Sequence, residues 1–544
     1  MLKHLYLFFF MLIFPRMIDA QEVYFVEGDS KIKIDFISWN LDSLSHKMGR
    51  EYSYRLLVEE GYWDLKLDSL KLDAGVWGIY GQMGGQYYFQ KLEINPEVLG
   101  FFNKKKSYFD RIVLKDRRRF ILNYYKDRGY PFARVYYDSL QIENYKAQAF
   151  IGVERNGIQS IDSLVIKSNS KFSSKVLNQM IHFKKGQLYS ASDLWEIEDI
   201  LNQYSFLQST TKPRILFTPD KNVLYIYLEE KSAHYFDGLL GFASDEQGEV
   251  TFRGKLEFKL ENAFHRGEKI YLKWDAQGEI YQRLSTNLSF PFILSSWGVE
   301  ANLNIHKQDS SFVKTDYGLG LQYNWKSYWQ MGFGLEKSES SVTKDHLLAS
   351  DVLFSFEKTM YYANLNFQRL DRIEQSRKGI SSKLELKAGI REEESREESE
   401  YFVALQLATF SPIKSNFSLK MGLNYKQIIS EGLSDNNLLF LGGSQSMRGF
   451  LENQFRLSSY LTLSPSLRYH FSSNYMLELF TDQGFIYHPT DELLDNKHVW
   501  STGIQFELPV KSGWLYLGYA LGKMEDESFN FSEGVVHFGM RNIF

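Results

Sequence analysis

Phe417-Ser418-Leu419-Lys420-Met421-Gly422-Leu423-Asn424-Tyr425-Lys426 is the stretch on which the fold turns. A large apolar side chain stands at every odd position, and Ser418, Lys420, Asn424 and Lys426 fill even ones. A two-residue period is that of a strand, since a helix would repeat every 3.6 residues. The same alternation runs through Phe252 to Glu261, through Val299 to His306 with Glu300 and Asn302 between, and through Lys383 to Ile390. The in-between positions are often charged, more polar than the solvent face of a soluble sandwich requires. Lipid outside and water inside impose that pattern. From about Tyr235 onward there are sixteen or seventeen such segments, Asp351 to Phe356 being either a strand or part of a long loop. The expectation is a 16-stranded antiparallel transmembrane β-barrel over 233–544, with about 19 residues for each strand and its connection.

Composition narrows the function. Of 544 residues, 63 are Lys or Arg and 67 are Asp or Glu, a net charge of -4 that argues against a nucleic-acid partner. Cysteine is absent, which excludes disulfides, cysteine-ligated zinc, iron–sulfur clusters, a cysteine nucleophile and a lipidated N-terminal cysteine. Aromatic residues reach 16% while prolines number 10, as many long strands would need.

The N-terminus reads as a signal peptide over residues 1–20. Lys3 and His4 precede the apolar run Leu5 to Phe14, and Ile18-Asp19-Ala20 offers a cleavage site before Gln21. The run is too short to span a bilayer as a helix, and no longer one follows it.

Between about 21 and 232 an order of features recurs three times. A polar helical stretch from Leu44 to Glu60 ends in Gly61-Tyr62, and a second from Phe109 to Arg128 ends in Gly129-Tyr130, with 68 residues between the glycines. Asp68-Ser69-Leu70 recurs as Asp138-Ser139-Leu140. The third copy runs from a strand at Ile161 to Lys167, through helices Ser173 to His182 and Ser192 to Tyr204, to paired runs at Arg214 to Phe217 and Val223 to Glu229. The spacing predicts three α+β units of β-α-α-β-β order, at 21–84, 85–156 and 157–232. The first is the least complete, with a short opening strand expected at Lys31 to Phe36. Each leaves a sheet edge free for an added strand.

Leu441-Gly442-Gly443-Ser444-Gln445-Ser446-Met447-Arg448-Gly449-Phe450 lies between the eleventh and twelfth expected strands. It resembles the inward-folding loop, with its Val/Ile-Arg-Gly-Phe/Tyr tetrad, of the POTRA-plus-barrel assembly and translocation family of BamA-like and TamA-like proteins. Met447 takes the place of Val or Ile. Phe480-Thr481-Asp482-Gln483-Gly484 is similar to the family's Phe-x-Asp-x-Gly strand, which implies that Asp482 faces the lumen near Arg448. Where the family usually places a Glu before Leu-Arg-Tyr, this chain has Ser466 before Leu467-Arg468-Tyr469, so the arginine is expected to have one carboxylate partner fewer. The ending His537 to Phe544, with Gly539 and a terminal Phe544, is similar to the assembly signal of bacterial outer-membrane barrels, Asn542 being its departure. Gly442, Gly443, Met447, Arg448, Gly449 and Phe450 are thus the expected loop motif.

No His-Glu-x-x-His, phosphate-binding glycine loop or Gly-x-Ser-x-Gly occurs, and the 11 histidines are scattered singly. No catalytic residue, metal site or cofactor is therefore expected. Arg391 to Glu400 reads as a solvated outer loop, and Lys104-Lys105-Lys106 and Arg117-Arg118-Arg119 as solvated basic faces. The resemblance implies a non-enzymatic factor in a bacterial outer membrane, with POTRA units in the periplasm. Its partners would be outer-membrane lipid, unfolded or exported client proteins, and periplasmic or membrane accessory subunits. A two-partner-secretion-type transporter and a passive channel are the alternatives.

Overall fold

The computed structural model describes residues 23–28, 30–33, 54, 57–58, 61–73, 76–94, 111–168, 173–244, 250–277, 281–308, 311–342, 353–372, 375–394, 396–414, 416–444, 446–472, 475–489, 494–510, 513–525 and 527–543. The expected signal peptide, the Lys104-Lys105-Lys106 run, Gln445 and Phe544 lie outside them, as does most of the helix expected from Leu44 to Glu60. The chain forms two compact units, one of residues 1–160 with 188–192 and one of 161–187 with 193–544.

The first unit holds two mixed sheets of one design. Val23–Glu27 runs parallel to Val76–Gln82, and Lys66–Asp73 pairs antiparallel on that strand's other side. Tyr88–Ile94, Lys146–Glu154 and Arg134–Glu143 repeat the arrangement. The last strand is central each time, so the middle strand of the sequence ends at an edge. The opening strand of the first sheet is not at Lys31 to Phe36. It is Val23–Glu27, and Ser30–Lys33 folds back antiparallel onto it. The reason is burial: Phe25 is fully enclosed, whereas Lys31 is exposed, as suits an edge.

The recurring motifs have local causes. Gly61 and Gly129 hold φ of 98° and 93°. The N–H groups of Tyr62 and Tyr130 then reach back five residues, to Leu57 O at 3.1 Å and Tyr125 O at 3.2 Å. This is a Schellman-type stop, which favours glycine at the left-handed position. Both Asp-Ser-Leu copies lie where the strand register shifts, a bulge in each sheet. In the helix Arg111–Lys126, Ile121 and Tyr125, one turn apart, are buried against Ala133 and Val135. Arg118 and Arg119 are exposed on it.

The second unit opens with the same sheet again. Ser163–Ser168 runs parallel to the central Asn222–Glu230, with Leu207–Phe217 antiparallel beyond. Val176, Leu177 and Met180 from one helix, and Ile197 and Leu201 from the next, cover Leu224, Ile226 and Leu228. Phe292, from the rim of the barrel, joins this core. Gln203 binds the barrel edge from both ends of its amide, donating to Leu370 O at 2.6 Å and accepting from Leu370 N–H at 3.2 Å.

Sixteen antiparallel strands then close into a barrel. They are β1 (Tyr235–Ser244), β2 (Val250–Glu261), β3 (Lys269–Gln277), β4 (Tyr281–Leu294), β5 (Trp297–Gln308) and β6 (Phe312–Trp325). There follow β7 (Trp329–Val342), β8 (Phe356–Leu370), β9 (Gly379–Glu393), β10 (Arg396–Lys414) and β11 (Phe417–Ile429). The last are β12 (Ser459–His470), β13 (Met476–Tyr487), β14 (Lys497–Val510), β15 (Gly513–Met524) and β16 (Val535–Ile543). Outward side chains include Leu319, Tyr361 and Phe538, each about 70% exposed, the surface a lipid-facing wall requires. No described helix is long and apolar enough to cross a membrane.

One open alternative is resolved here and one expectation corrected. The described residues 353–355 are irregular and β8 begins at Phe356, which favours the loop reading of that stretch. Arg391 to Glu400 is not a solvated loop. It is the hairpin of β9 and β10, with Arg391 and Glu400 almost wholly buried. Two-residue alternation continues through the charges, so every second one is carried inward.

The closing seam is short. β1 pairs with β2 over ten residues and β16 with β15 over eight, but among the described residues β1 and β16 meet at Tyr235↔Ile543 and Phe236↔Asn542 alone.

Candidate functional site: the lumen loop

The connection from β11 to β12 folds into the barrel. It begins with a tight turn at Asp435–Asn437. Leu439–Leu441 then pairs antiparallel with Phe455–Leu457, which turns the segment into a hairpin carrying the glycine–arginine motif at its tip. Leu441, Met447 and Leu457 are fully enclosed, packed with Phe450 and Phe455 against Tyr460 of β12, Ile486 of β13 and Val499 of β14. Phe440 lies toward the opposite wall, its ring 5.4 Å from that of His306 and 5.1 Å from the Arg283 guanidinium. The loop therefore crosses the lumen. On its far side a cavity of about 480 Å³ remains, lined among others by Arg283, Lys314, Asp316 and the loop's Glu452.

At the tip, Arg448 is almost completely removed from solvent and fully engaged. Nη2 donates to Asp482 Oδ1 at 2.7 Å and Nε to Oδ2 at 2.9 Å, a two-point grip. The backbone N–H of Arg448 also approaches Oδ2, at 3.3 Å. The guanidinium lies over the Phe480 ring, 3.4 Å from its centroid. Gly484 completes the strand motif: a side chain there would meet Val499 Cγ2 at 2.6 Å and the Met447 sulfur at 3.5 Å. Alternation along β13 thus places Phe480, Asp482 and Gly484 on one inward face, each meeting one part of the tip.

The expectation of a missing carboxylate is corrected by Glu478. Its Oε1 accepts from Arg448 Nη1 at 2.9 Å, and its Oε2 accepts from Arg468 Nε at 2.8 Å. Ser466 stands opposite Phe480 on the neighbouring strand, and Arg468 stands opposite Glu478. The second acid stands on β13 itself, two residues before Phe480 and therefore on the same face. That parity was the signal available in the sequence.

The glycines allow close approach. Gly449, at φ 85°, has its Cβ position 2.9 Å from Gly522 N and from Leu521 C of β15, so the tip lies backbone to backbone on the wall. Its N–H points to His537 Nε2 of β16 at 3.4 Å, linking the tip to the closing strand. Gly442 and Gly443 also hold positive φ, and Gly443 N–H closes the turn on Met447 O at 3.1 Å. Phe450 packs on Phe455 with centroids 5.0 Å apart. Gly539 of β16 lies across from Tyr516, whose ring occupies the space a side chain would need. Among the described residues no group of three or more His, Cys, Asp or Glu could hold a metal.

Residues 256–540 match the Omp85 superfamily domain. Among solved structures, CdiB from Acinetobacter baumannii aligns at a TM-score of 0.53 and 12% identity, covering 84% of this chain and 90% of that one. CdiB from Escherichia coli aligns at 0.50 and 11%, covering 92% and 99%. BamA from Haemophilus ducreyi lacking POTRA domains 1–3 aligns at 0.46 and 14%, covering 84% and 100%. At such identities the likeness is one of fold. No curated protein matches the sequence.

Proposed function

The chain belongs to the Omp85 superfamily, and from that premise we propose that it receives client proteins on its N-terminal POTRA-like units and inserts or exports them at the outer membrane. The units at 21–84, 85–156 and 157–232 are the receiving arm, and the barrel from 233 is the exit. The observation that carries this reading is the seam. The described β1 residues Gly238 to Ser244 pair with β2 on one side and have no described ladder partner in β16 on the other. Backbone groups left in that state are a template for another strand. In lipid an open edge costs several kcal/mol per unmet group, so a client strand would be favoured there. Gly238 and Gly241 lower the strand propensity of the same edge.

The tip assembly Gly442, Gly443, Met447, Arg448, Gly449 and Phe450, with Asp482 as partner, holds the loop while the seam works. Two experiments test the proposal. A Phe236→Cys/Asn542→Cys pair should cross-link the seam in this cysteine-free chain, halt client assembly when oxidised, and release it on reduction. Assembly that proceeds through the closed seam would exclude the lateral route. Deleting residues 21–232 separates the alternatives: a passive channel keeps conducting and has no client to lose, whereas an assembly factor loses client handling.

A further inference from the structure

Arg391 is the largest side chain in the described structure with essentially no solvent contact, and the hairpin motif does not use it. Its Nη2 donates to two loop carbonyls, Glu431 O at 2.6 Å and Gly432 O at 3.1 Å. Its Nη1 meets Glu400 at 3.5 Å and its Nε lies 3.0 Å from Glu393. Glu400, itself 1% exposed, accepts from Lys358 Nζ at 2.7 Å and from the Asn437 amide at 2.7 Å. Lys358 Nζ in turn donates to Asn437 Oδ1 at 2.8 Å. One strand each from β8, β9 and β10 thus supplies a charge, and the root of the lumen loop supplies the amide and carbonyls between them. On the β7 side, the neighbouring Asn436 donates to Ser340 Oγ at 2.7 Å and to Phe354 O at 2.8 Å.

We propose that this cluster is a second anchor of the lumen loop, with Arg391, Lys358, Glu400 and Asn437 as positioning residues that set where Arg448 arrives on β13. A buried ion cluster is weak evidence for stability, because desolvation offsets most of its attraction, but it discriminates strongly between arrangements. Here the discrimination acts on the loop: half of the polar contacts named for Arg391 and one of the two for Lys358 end on loop atoms. Gly432 fits the role. It holds φ 57°, and a side chain there would collide with the Arg396 guanidinium, which also donates to Gly432 O at 2.9 Å. Root and tip are therefore held at separate stretches of the wall, the root by Arg391 and Arg396 of β9 and β10 on loop carbonyls and the tip by Glu478 and Asp482 of β13 on Arg448. With both ends held, the hairpin is a crossbar. With the root free, its direction is set by the tip alone.

Asn437→Ala tests the root without altering any wall charge, and Glu400→Gln tests it from the wall. A single Ser444→Cys probe at the tip of the cysteine-free, full-length protein reads the outcome in intact cells with a membrane-impermeant maleimide. Each variant should raise the labelling rate at least about tenfold, as expected when a charge-assisted hydrogen bond no longer restrains the loop. The folded barrel should keep the electrophoretic mobility of the parent, which a general loss of structure would not. Labelling within about twofold of the parent in both variants, with the barrel folded, overturns the proposal. If Glu400→Gln fails to assemble, Asn437→Ala decides alone. The inference rests on the loop being a working part of the proposed machine. Labelling reads the loop and client assembly reads the machine, so either reading fails without the other.

Discussion

Arg448 and Glu478 are joined at 2.9 Å inside the lumen, and Glu478 shares its second oxygen with Arg468 at 2.8 Å. One carboxylate therefore ties the loop tip to two adjacent strands, since Arg468 belongs to β12 and Glu478 to β13. With Asp482 included, two arginines meet two acids, each paired in a place where an unmatched charge would be expensive.

Glu478→Gln should weaken that tie while keeping the shape. Arg448 would retain Asp482, but Arg468 would lose its described carboxylate. The expected loss is about 1.5–3 kcal/mol, the usual range for a hydrogen bond to a charged group. It is measured as a lower temperature of conversion from the fast-migrating to the slow-migrating form in unboiled gels.

Arg448→Ala and Asp482→Ala should each loosen the tip, and the double variant should be no worse than either single one. Residues in one network are coupled, so their effects do not add. The measurement is a double-mutant cycle on client assembly. A coupling energy near zero would mean that the pair does not act as a unit.

Gly449→Ala should cost about 1–3 kcal/mol, because it forces a side chain into the left-handed region and against Gly522. Gly518→Ala is the matched control: its Cβ position meets nothing closer than 3.5 Å and its φ is ordinary. Bilayer conductance should rise for the first variant and stay at the parent value for the second.

Glu392→Lys should stabilise the barrel by about 0.2–1 kcal/mol. Glu339, Glu357, Glu392 and Glu397 are successive cross-strand partners on β7, β8, β9 and β10, a row of like charges on the exposed face. Lys337 lies 3.2 Å from Glu339 and 3.3 Å from Glu357, but neither contact reaches Glu392. The gain should shrink as salt is raised, which melting at two ionic strengths would detect.

Phe544→Ala should reduce the amount of barrel assembled more than the stability of what does assemble. Losing one aromatic removes about 2–3 kcal/mol of apolar burial at most, small against a sixteen-stranded wall. Quantifying the variant in outer membranes, beside its melting, separates the two effects.

What could be read from the chain alone follows from local geometry. The pleat makes strand periodicity equal to two, so Phe417 to Lys426 announces its two faces without any neighbour. The left-handed stop at Gly61-Tyr62 and Gly129-Tyr130 needs only a few residues, so the repeat was visible at its helix ends. The same parity put Phe480, Asp482 and Gly484 on one side of their strand before any partner for them could be identified from contacts. Parity could not say which side faced inward, and the stacking of Arg448 on Phe480 settles that.

What only the tertiary structure decided depends on closure. Glu478 reaches Arg448 across 30 residues and Asn437 reaches Lys358 across 79, separations at which spacing along the chain carries no distance; the Asp482 contact, across 34, was expected from the motif resemblance and not from spacing. Arg391 in a run of ten mostly charged residues resembles a solvated surface. It is buried because β9 and β10 continue their alternation into a lumen that the loop root also enters. The short seam is likewise a property of the closed ring: β1 and β16 lie about 300 residues apart, and how many of their residues pair is set by the curvature of fourteen strands between them.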